Sequence, residues 1–294
     1  THFHDMGLIF AIFQPIYNGY SQYLMQPTDC VSKPYRFLKA VSDYRGTTFT
    51  MPNFAYDHCS NYITEEEKES LDLSSMVNAG NGAEPVHLNT MITFNECFEK
   101  CGLPKDAIVP GYGLAEATLM VTANKRDETN TRMTAVELDR TMFERNKIVP
   151  ANGSNSITCC SSGVIKEDIS LKIVDPKTLY ECEENTVGEI WISSDSVSPG
   201  YWEKPEINRE IFQACIKDSE QKYYLRTGDL GFIYQDNLYI SGRCKDVIII
   251  RGANYYPNDI EFTVGNAHPD LVMDSCAAFT QKSGSEEQLY IVVE

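Results

Sequence analysis

Two short stretches hold side chains that could work together on a nucleotide. Leu225-Arg226-Thr227-Gly228-Asp229 ends on a carboxylate, and Ser241-Gly242-Arg243-Cys244-Lys245-Asp246 follows with a guanidinium, an ammonium and a glycine. A carboxylate at Asp229 can accept two hydrogen bonds from vicinal hydroxyls, a charge-assisted geometry that no single neutral group provides. With Arg243 beyond it and a hinge near Lys245, the layout suits gripping a ribose while one domain swings over another. Upstream, Gly111-Tyr112-Gly113-Leu114-Ala115-Glu116-Ala117-Thr118-Leu119 joins an aromatic ring to a hard oxygen donor. Tyr112 can lie against a flat purine, and Glu116 can offer its carboxylate to Mg2+ near phosphates. Each residue also has a plainer reading: a core tyrosine, a helix-start glutamate, a surface ion pair between Asp229 and Arg243, a solvated Lys245.

Such residues need elements to hold them. Residues 1–120 alternate short β-rich runs with helical patterns, as in an α/β fold with a largely parallel sheet. The pattern predicts a helix over 34–44 and a strand over 47–51, with Thr64 and Glu67 at capping-box spacing before a short helix. A buried strand over 75–79 should feed a turn at 80–85. A helix should then bury Phe94, Cys97, Phe98 and Cys101 before Gly102, and lead to a strand ending at Gly111. Loops at the carboxyl ends of such strands are where open α/β sheets bind ligands. From 156 to 244 the texture becomes β-rich, predicting a distorted-barrel subdomain, and 245–294 reads as a hinge and the start of a small α+β domain. Between them, 125–149 turns polar and then presents Val136, Leu138, Met142 and Phe143, a longer excursion than a tight connection needs.

Composition limits the partners. A net charge of -17 over 294 residues excludes a nucleic-acid surface, which clustered Lys and Arg would have to build. Nucleotide handling then falls to local Arg, backbone N–H groups and a divalent cation. The ten cysteines are scattered without Cys-x-x-Cys spacing, which favours a reduced, cytoplasmic protein over a disulfide framework. The longest apolar stretch, 6–17, is too short to span a bilayer. The chain opens without an initiator Met, in what reads as a strand-to-loop segment, and is expected to be a piece of a longer protein.

Taken together, the 225–229, 241–257 and 111–119 segments resemble the adenylate-forming superfamily, which makes acyl-AMP from ATP and a carboxylic acid. Within it, Leu114-Ala115-Glu116-Ala117-Thr118 resembles the fatty acyl-AMP ligases, since other members carry Thr where Ala115 stands. The resemblance implies that Tyr112 packs on adenine, with Gly113 beside it, and that Gly80-Asn81-Gly82-Ala83-Glu84 forms the second adenine-site loop. It implies Mg2+ on Glu116, ribose on Asp229, the ribose or phosphate region on Arg243, and a catalytic hinge at Lys245. His4, Asp5, Met6 and Gly7 resemble a segment at the carboxylate end of the acyl pocket, with Asn53 and Phe54 lining the same pocket. For His4 and Asp5 a structural ion pair remains an alternative, and for Asn53 and Phe54 ordinary core.

The implied partners are a fatty acid, ATP and an acyl carrier protein or carrier domain, with a place in a larger multidomain synthase as one setting. The family's phosphate loop is expected before residue 1 and its C-terminal lysine after residue 294, so these residues alone are expected to be inactive. Two alternatives share the motifs: a long- or medium-chain acyl-CoA ligase, and a catalytically silent lipid- or nucleotide-binding module. Position also matches 125–149 to the insertion that distinguishes fatty acyl-AMP ligases from acyl-CoA ligases.

Overall fold

The apolar run near the start of the chain is helical rather than strand-like. In the computed structural model, which describes residues 2–125, 132–219, 222–268, 270–271, 275–283 and 286–294, Met6–Phe13 is a π-helix. Eight consecutive apolar residues offer no two-residue alternation, and the Asp5 side chain accepts the Met6 N–H at 2.8 Å at the helix start. The chain divides into two compact units: Thr1–Ala135 with Cys160–Ile169 and Ser194–Gly200, and Val136–Cys159 with Ser170–Ser193 and Tyr201–Glu294.

The first unit continues with α1 (Gln14–Asn18), α2 (Pro27–Ser32), α3 (Tyr35–Asp43), β1 (Thr48–Met51), α4 (Asn53–Tyr62) and α5 (Glu65–Lys68). Then come β2 (Asn78–Asn81), α6 (Leu88–Phe98), β3 (Ile108–Leu114) and β4 (Leu119–Ala123). Helix α3 lies where its pattern placed it, because Pro34 caps it and Leu38 and Val41 face the core. The Thr64–Glu67 capping box forms with both reciprocal bonds at 3.2 Å. Strands β1, β2 and β3 are parallel neighbours, and β3 then pairs antiparallel with β4. Tyr56, Met91, Phe94 and Phe98 are fully buried behind this sheet, with the Tyr56 and Phe94 rings edge to face at 4.9 Å. Each such side chain contributes on the order of 2 kcal/mol by burial.

Strand β2 begins three residues later than its apolar pattern predicts. Ser74 and Ser75 lie in a turn, and the N–H groups of Val77 and Asn78 both donate to Thr47 O at 2.8 and 3.0 Å. Gly80 and Asn81 therefore finish the strand, and Gly82, Ala83 and Glu84 form the loop beyond it. Arg132 is buried in this unit: its Nε reaches Asp106 O at 2.6 Å, Nη1 reaches Asn78 Oδ1 at 2.9 Å, and Nη2 reaches Ala107 O at 3.2 Å. One guanidinium thus ties together the starts of β2 and β3. Of the 125–149 excursion, residues 126–131 lie outside the described residues.

The second unit contains β5 (Ala135–Asp139), which begins on the last residue of the first, α7 (Arg140–Phe143) and the opening of β6 (Ser156–Ile165). It continues with β7 (Ser170–Val174), β8 (Gly188–Ser193), α8 (Pro205–Ile211), β9 (Leu225–Tyr234) and β10 (Asn237–Arg243). After these come β11 (Ile248–Ile250), β12 (Ala253–Tyr255), α9 (Pro257–Gly265), β13 (Cys276–Ser283) and β14 (Glu286–Val293). The β-rich part is an antiparallel sheet in the order β10-β9-β8-β7, and among the described residues no ladder closes it into a barrel. Phe232 stacks on Tyr239 at 4.8 Å, and Phe143 packs against both Phe232 and Tyr256. Strands β11 and β12 form one hairpin, β13 and β14 another. No helix among the described residues is long and apolar enough to cross a membrane.

Candidate functional site

In the first unit, the loop after β2 is bound to the start of α4 by several hydrogen bonds. Glu84 Oε1 accepts the Phe54 N–H at 2.7 Å, and Tyr56 donates its hydroxyl to Gly80 O at 2.8 Å. Asn53 Oδ1 accepts from Asn81 Nδ2 at 3.2 Å and from the His87 N–H at 3.1 Å, while Asn53 Nδ2 donates to Thr90 Oγ1 at 3.2 Å. Asn53 and Asn81 are both buried, so Asn53 is fixed by polar contacts and Phe54 stays partly exposed. The structure thus brings 80–84, expected at a base, against 53–54, expected at an acyl chain. Asn81 Oδ1 is buried without a hydrogen-bond partner, an acceptor suited to a donor on an occupant of the loop. Asn53, Tyr56 and Thr90 owe these bonds to α4 and α6 packing beside β2, which no local spacing announces.

Strand β3 does not stop at Gly111. It runs through Tyr112 and Gly113, with Tyr112 opposite Thr122 and a register shift immediately after it. The glycines answer crowding from neighbouring backbone. A Cβ on Gly113 would run into the backbone carbonyl of Leu119, and one on Gly82 would lie 2.7 Å from Gly111 O. Backbone cannot yield as a side chain does. Gly113→Ala is therefore expected to destabilise the first unit by about 1–3 kcal/mol. Gly46→Ala, whose Cβ would meet only ordinary contacts at 3.5 Å, is the control, and equal urea midpoints for the two variants would discredit the crowding account. The turn comes later, where Ala115–Ala117 is a short 3-10 segment and Thr118 has φ 60. Glu116 is half-buried there, and its backbone carbonyl accepts the Ser198 N–H at 2.7 Å. Thr118 Oγ1 donates to Ser196 O at 2.6 Å, holding the turn from its other end.

His4 and Asp5 form a pair at 2.7 Å, with His4 largely exposed, and Met6 and Gly7 are the first residues of the π-helix. The geometry gives His4 a local partner and Asp5 a capping role.

In the second unit, β9 and β10 place Asp229 directly opposite Arg243. Arg243 Nε lies 3.3 Å from Asp229 Oδ1; the carboxylate is mostly buried and the guanidinium mostly exposed. Lys245 sits in an exposed turn just past β10. The turn is pinned by Cys244 N–H to Gly228 O at 2.8 Å and by Asp246 N–H to Arg243 O at 3.1 Å. Burial pushes the Cys244 thiol up to about 12, with the negative charges of Glu189 and Asp229 adding to the effect. Glu189 is a site neighbour that sequence patterning passes over. Its side chain is only 3% exposed, and its Oε2 pairs with Arg226 Nη2 at 2.9 Å. The available signal was a lone charge inside the apolar run Gly188-Glu189-Ile190-Trp191-Ile192, because carboxylates are rarely buried unless paired. Among the described residues no cluster of three or more His, Cys, Asp or Glu could hold a metal, so a cation here would rest on few protein ligands.

Comparison with known proteins gives a consistent picture. The family described as AMP-binding enzyme matches residues 1–202. The medium-chain-fatty-acid–[acyl-carrier-protein] ligase JamA of Moorena producens is 42% identical over 297 residues, covering 100% of this chain and 50% of the relative. The ligase of the same description from Teredinibacter turnerae, TtuA, is 37% identical and covers 99% of this chain and 46% of its own length. The crystal structure of the fatty acyl-adenylate ligase from Legionella pneumophila, in complex with acyl adenylate and pyrophosphate, is similar at a TM-score of 0.80. It shares 43% identity and covers 100% of this chain and 51% of its own. The chain spans about half the length of the curated relatives it matches.

Proposed function

Since this chain belongs to the AMP-binding enzyme family, we propose that the whole protein is a ligase that activates a fatty acid as acyl-AMP for transfer to an acyl carrier protein or carrier domain. The carrying observation is the 42% identity, across the whole chain, to a ligase named for a medium-chain fatty acid and an acyl carrier protein. In the proposed reaction an oxygen of the ionised fatty carboxylate attacks the α-phosphorus of ATP. The new carboxyl O–P bond forms as the bond from that phosphorus to the bridging oxygen breaks, and pyrophosphate leaves. Because the acid enters ionised, His4 is needed to shape the pocket and not to remove a proton.

The remaining roles are those that the family resemblance implies for these positions. Tyr112, Gly113 and the 80–84 loop receive adenine, with the unpartnered Asn81 Oδ1 in support. Asp229 receives the ribose hydroxyls, and the exposed head of Arg243 serves the ribose or phosphate region. Asn53, Phe54 and the 4–7 segment border the acyl chain. Residues 1–244 act as part of a large AMP-binding domain and 245–294 begin a C-terminal domain that turns about Lys245. A hinge needs only a residue able to absorb a backbone change, and the exposed turn at Lys245 meets that need. The setting is cytoplasmic.

Mg2+ fits the donor chemistry at Glu116. It binds through one or two carboxylates together with substrate phosphates and water, so a single half-buried glutamate suffices. When bound, Mg2+ would neutralise charge developing on the phosphates. Glu116→Gln in the full-length enzyme is expected to raise the Mg2+ concentration for half-maximal activity by roughly tenfold, with folding intact. A lower Tm with an unchanged Mg2+ requirement would leave Glu116 as a turn residue.

The reading as a whole is tested by fatty-acid-dependent pyrophosphate exchange with the full-length protein. The expected result is exchange, followed by acyl transfer to a carrier protein in preference to CoA. No exchange would leave a binding module, and efficient acyl-CoA formation would make it an acyl-CoA ligase.

A further inference from the structure

The segment that presents Asp229 is a bulge of β9. Glu189 pairs with Leu230 and Trp191 with Arg226, so Ile190 alone on β8 faces Thr227, Gly228 and Asp229 on β9. Extra residues on one strand lose ladder partners and re-aim their side chains, and bulges of this kind sit next to functional sites. Their hydrogen bonds must then come from elsewhere. Here Glu189 supplies the central one. Its Oε1 accepts the Gly228 N–H at 3.2 Å, and its Oε2 accepts from Arg226 Nε at 3.1 Å and Nη2 at 2.9 Å. The Arg226 guanidinium lies over the Trp191 ring, 5.4 Å from its centroid. Thr227 completes the frame, donating to Ile190 O at 2.8 Å while accepting the Asp229 N–H at 3.1 Å. Gly228, at φ 73, takes a backbone conformation that other residues rarely adopt.

We infer that Glu189 is a positioning residue for Asp229: paired with Arg226, it holds the Thr227-Gly228-Asp229 bulge so that the Asp229 carboxylate is preset for the two ribose hydroxyls. The inference rests on the proposed ribose role of Asp229. It requires the carboxylate of Glu189 and not just its bulk, because a buried carboxylate is tolerated when Arg226 and an N–H satisfy it together. A glutamine there would set an amide N–H group against the guanidinium or the Gly228 N–H, and the bulge would shift. Asp229 would then still be present and charged but poorly aimed, at a site where small misplacements cost rate.

The test uses the full-length enzyme and measures pyrophosphate exchange with ATP and with 2′-deoxy-ATP, reading the ratio of their kcat/KM values. A protein using both ribose hydroxyls should prefer ATP, and Asp229→Asn should remove that preference. Glu189→Gln is expected to cut the preference by about fivefold or more, with the KM for fatty acid unchanged. Thr227→Val, which removes both hydroxyl bonds that frame the bulge and sits in a half-buried position, should do the same and decides the matter if Glu189→Gln does not fold. If Asp229→Asn removes the preference while the two bulge variants keep it, with no more than a lowered Tm, Glu189 is a sheet-stabilising residue and the inference is overturned. If the unsubstituted enzyme shows no preference, or Asp229→Asn keeps it, the ribose reading of Asp229 fails first and takes the positioning role with it.

Discussion

Asp229→Ala in the intact enzyme is expected to weaken binding of a non-hydrolysable acyl-AMP analogue by about 2–4 kcal/mol, the loss of charge-assisted hydrogen bonds to a mostly buried carboxylate. That corresponds to roughly a 30- to 1,000-fold rise in Kd. The size of the effect separates the proposed role from the plain one. As a surface ion pair with the largely exposed Arg243, Asp229 would be worth no more than about 1 kcal/mol, and its loss would appear in Tm rather than in ligand affinity. Arg243 loses little when its partner goes, because its guanidinium is already mostly in water. An analogue lacking both ribose hydroxyls should bind the wild type and the variant alike. Unchanged affinity for the ordinary analogue, measured by calorimetry, would return Asp229 and Arg243 to the structural reading.

The extent to which this site was legible in the sequence depended on how local each signal was. Thr64 and Glu67 form their capping box because both partners sit on one helical turn. Asp229 and Arg243 meet because two strands joined by a tight turn carry them to the same register position. Local patterning misplaced the start of β2, since what fixes it is the Thr47 carbonyl accepting from both Val77 and Asn78. It ended β3 at Gly111, although the strand runs on through Gly113, where the neighbouring strand leaves no room for a side chain. Arg132, in a polar stretch, reads as solvated, yet it is buried against backbone carbonyls and Asn78 from residues far back in the chain. Glu189 is the same case: its partner Arg226 is in a motif that was recognised, but only the bulge in β9 explains why a carboxylate belongs behind it.

The 125–149 excursion is not a detachable loop. Three of its residues are core: Leu138, Phe143 and Ile148 are buried with Phe232, Tyr239 and Tyr256. Removing 125–147 would therefore empty part of the second unit, and its loss of function would not isolate any effect of the insertion on the choice of acceptor. Phe143→Ala alone is expected to cost about 3–5 kcal/mol of unfolding free energy, as for other large-to-small changes at buried aromatic positions.

Within the same unit, the turn at 144–146 grips β12. Asn254 N–H donates to Glu144 O at 2.8 Å, and its Nδ2 lies 3.1 Å from both Glu144 O and Asn146 Oδ1. If the insertion restrains rotation about the hinge, these side-chain bonds are the restraint that can be released without emptying the core. Asn254→Ala in the full-length enzyme is then expected to keep pyrophosphate exchange and Tm near wild type while acyl-CoA synthesis becomes detectable. The loss of two half-buried hydrogen bonds, roughly 1–2 kcal/mol, is enough to shift a two-state rotation by about tenfold. A variant that exchanges pyrophosphate normally and still makes no acyl-CoA would show that this contact does not set the choice of acceptor.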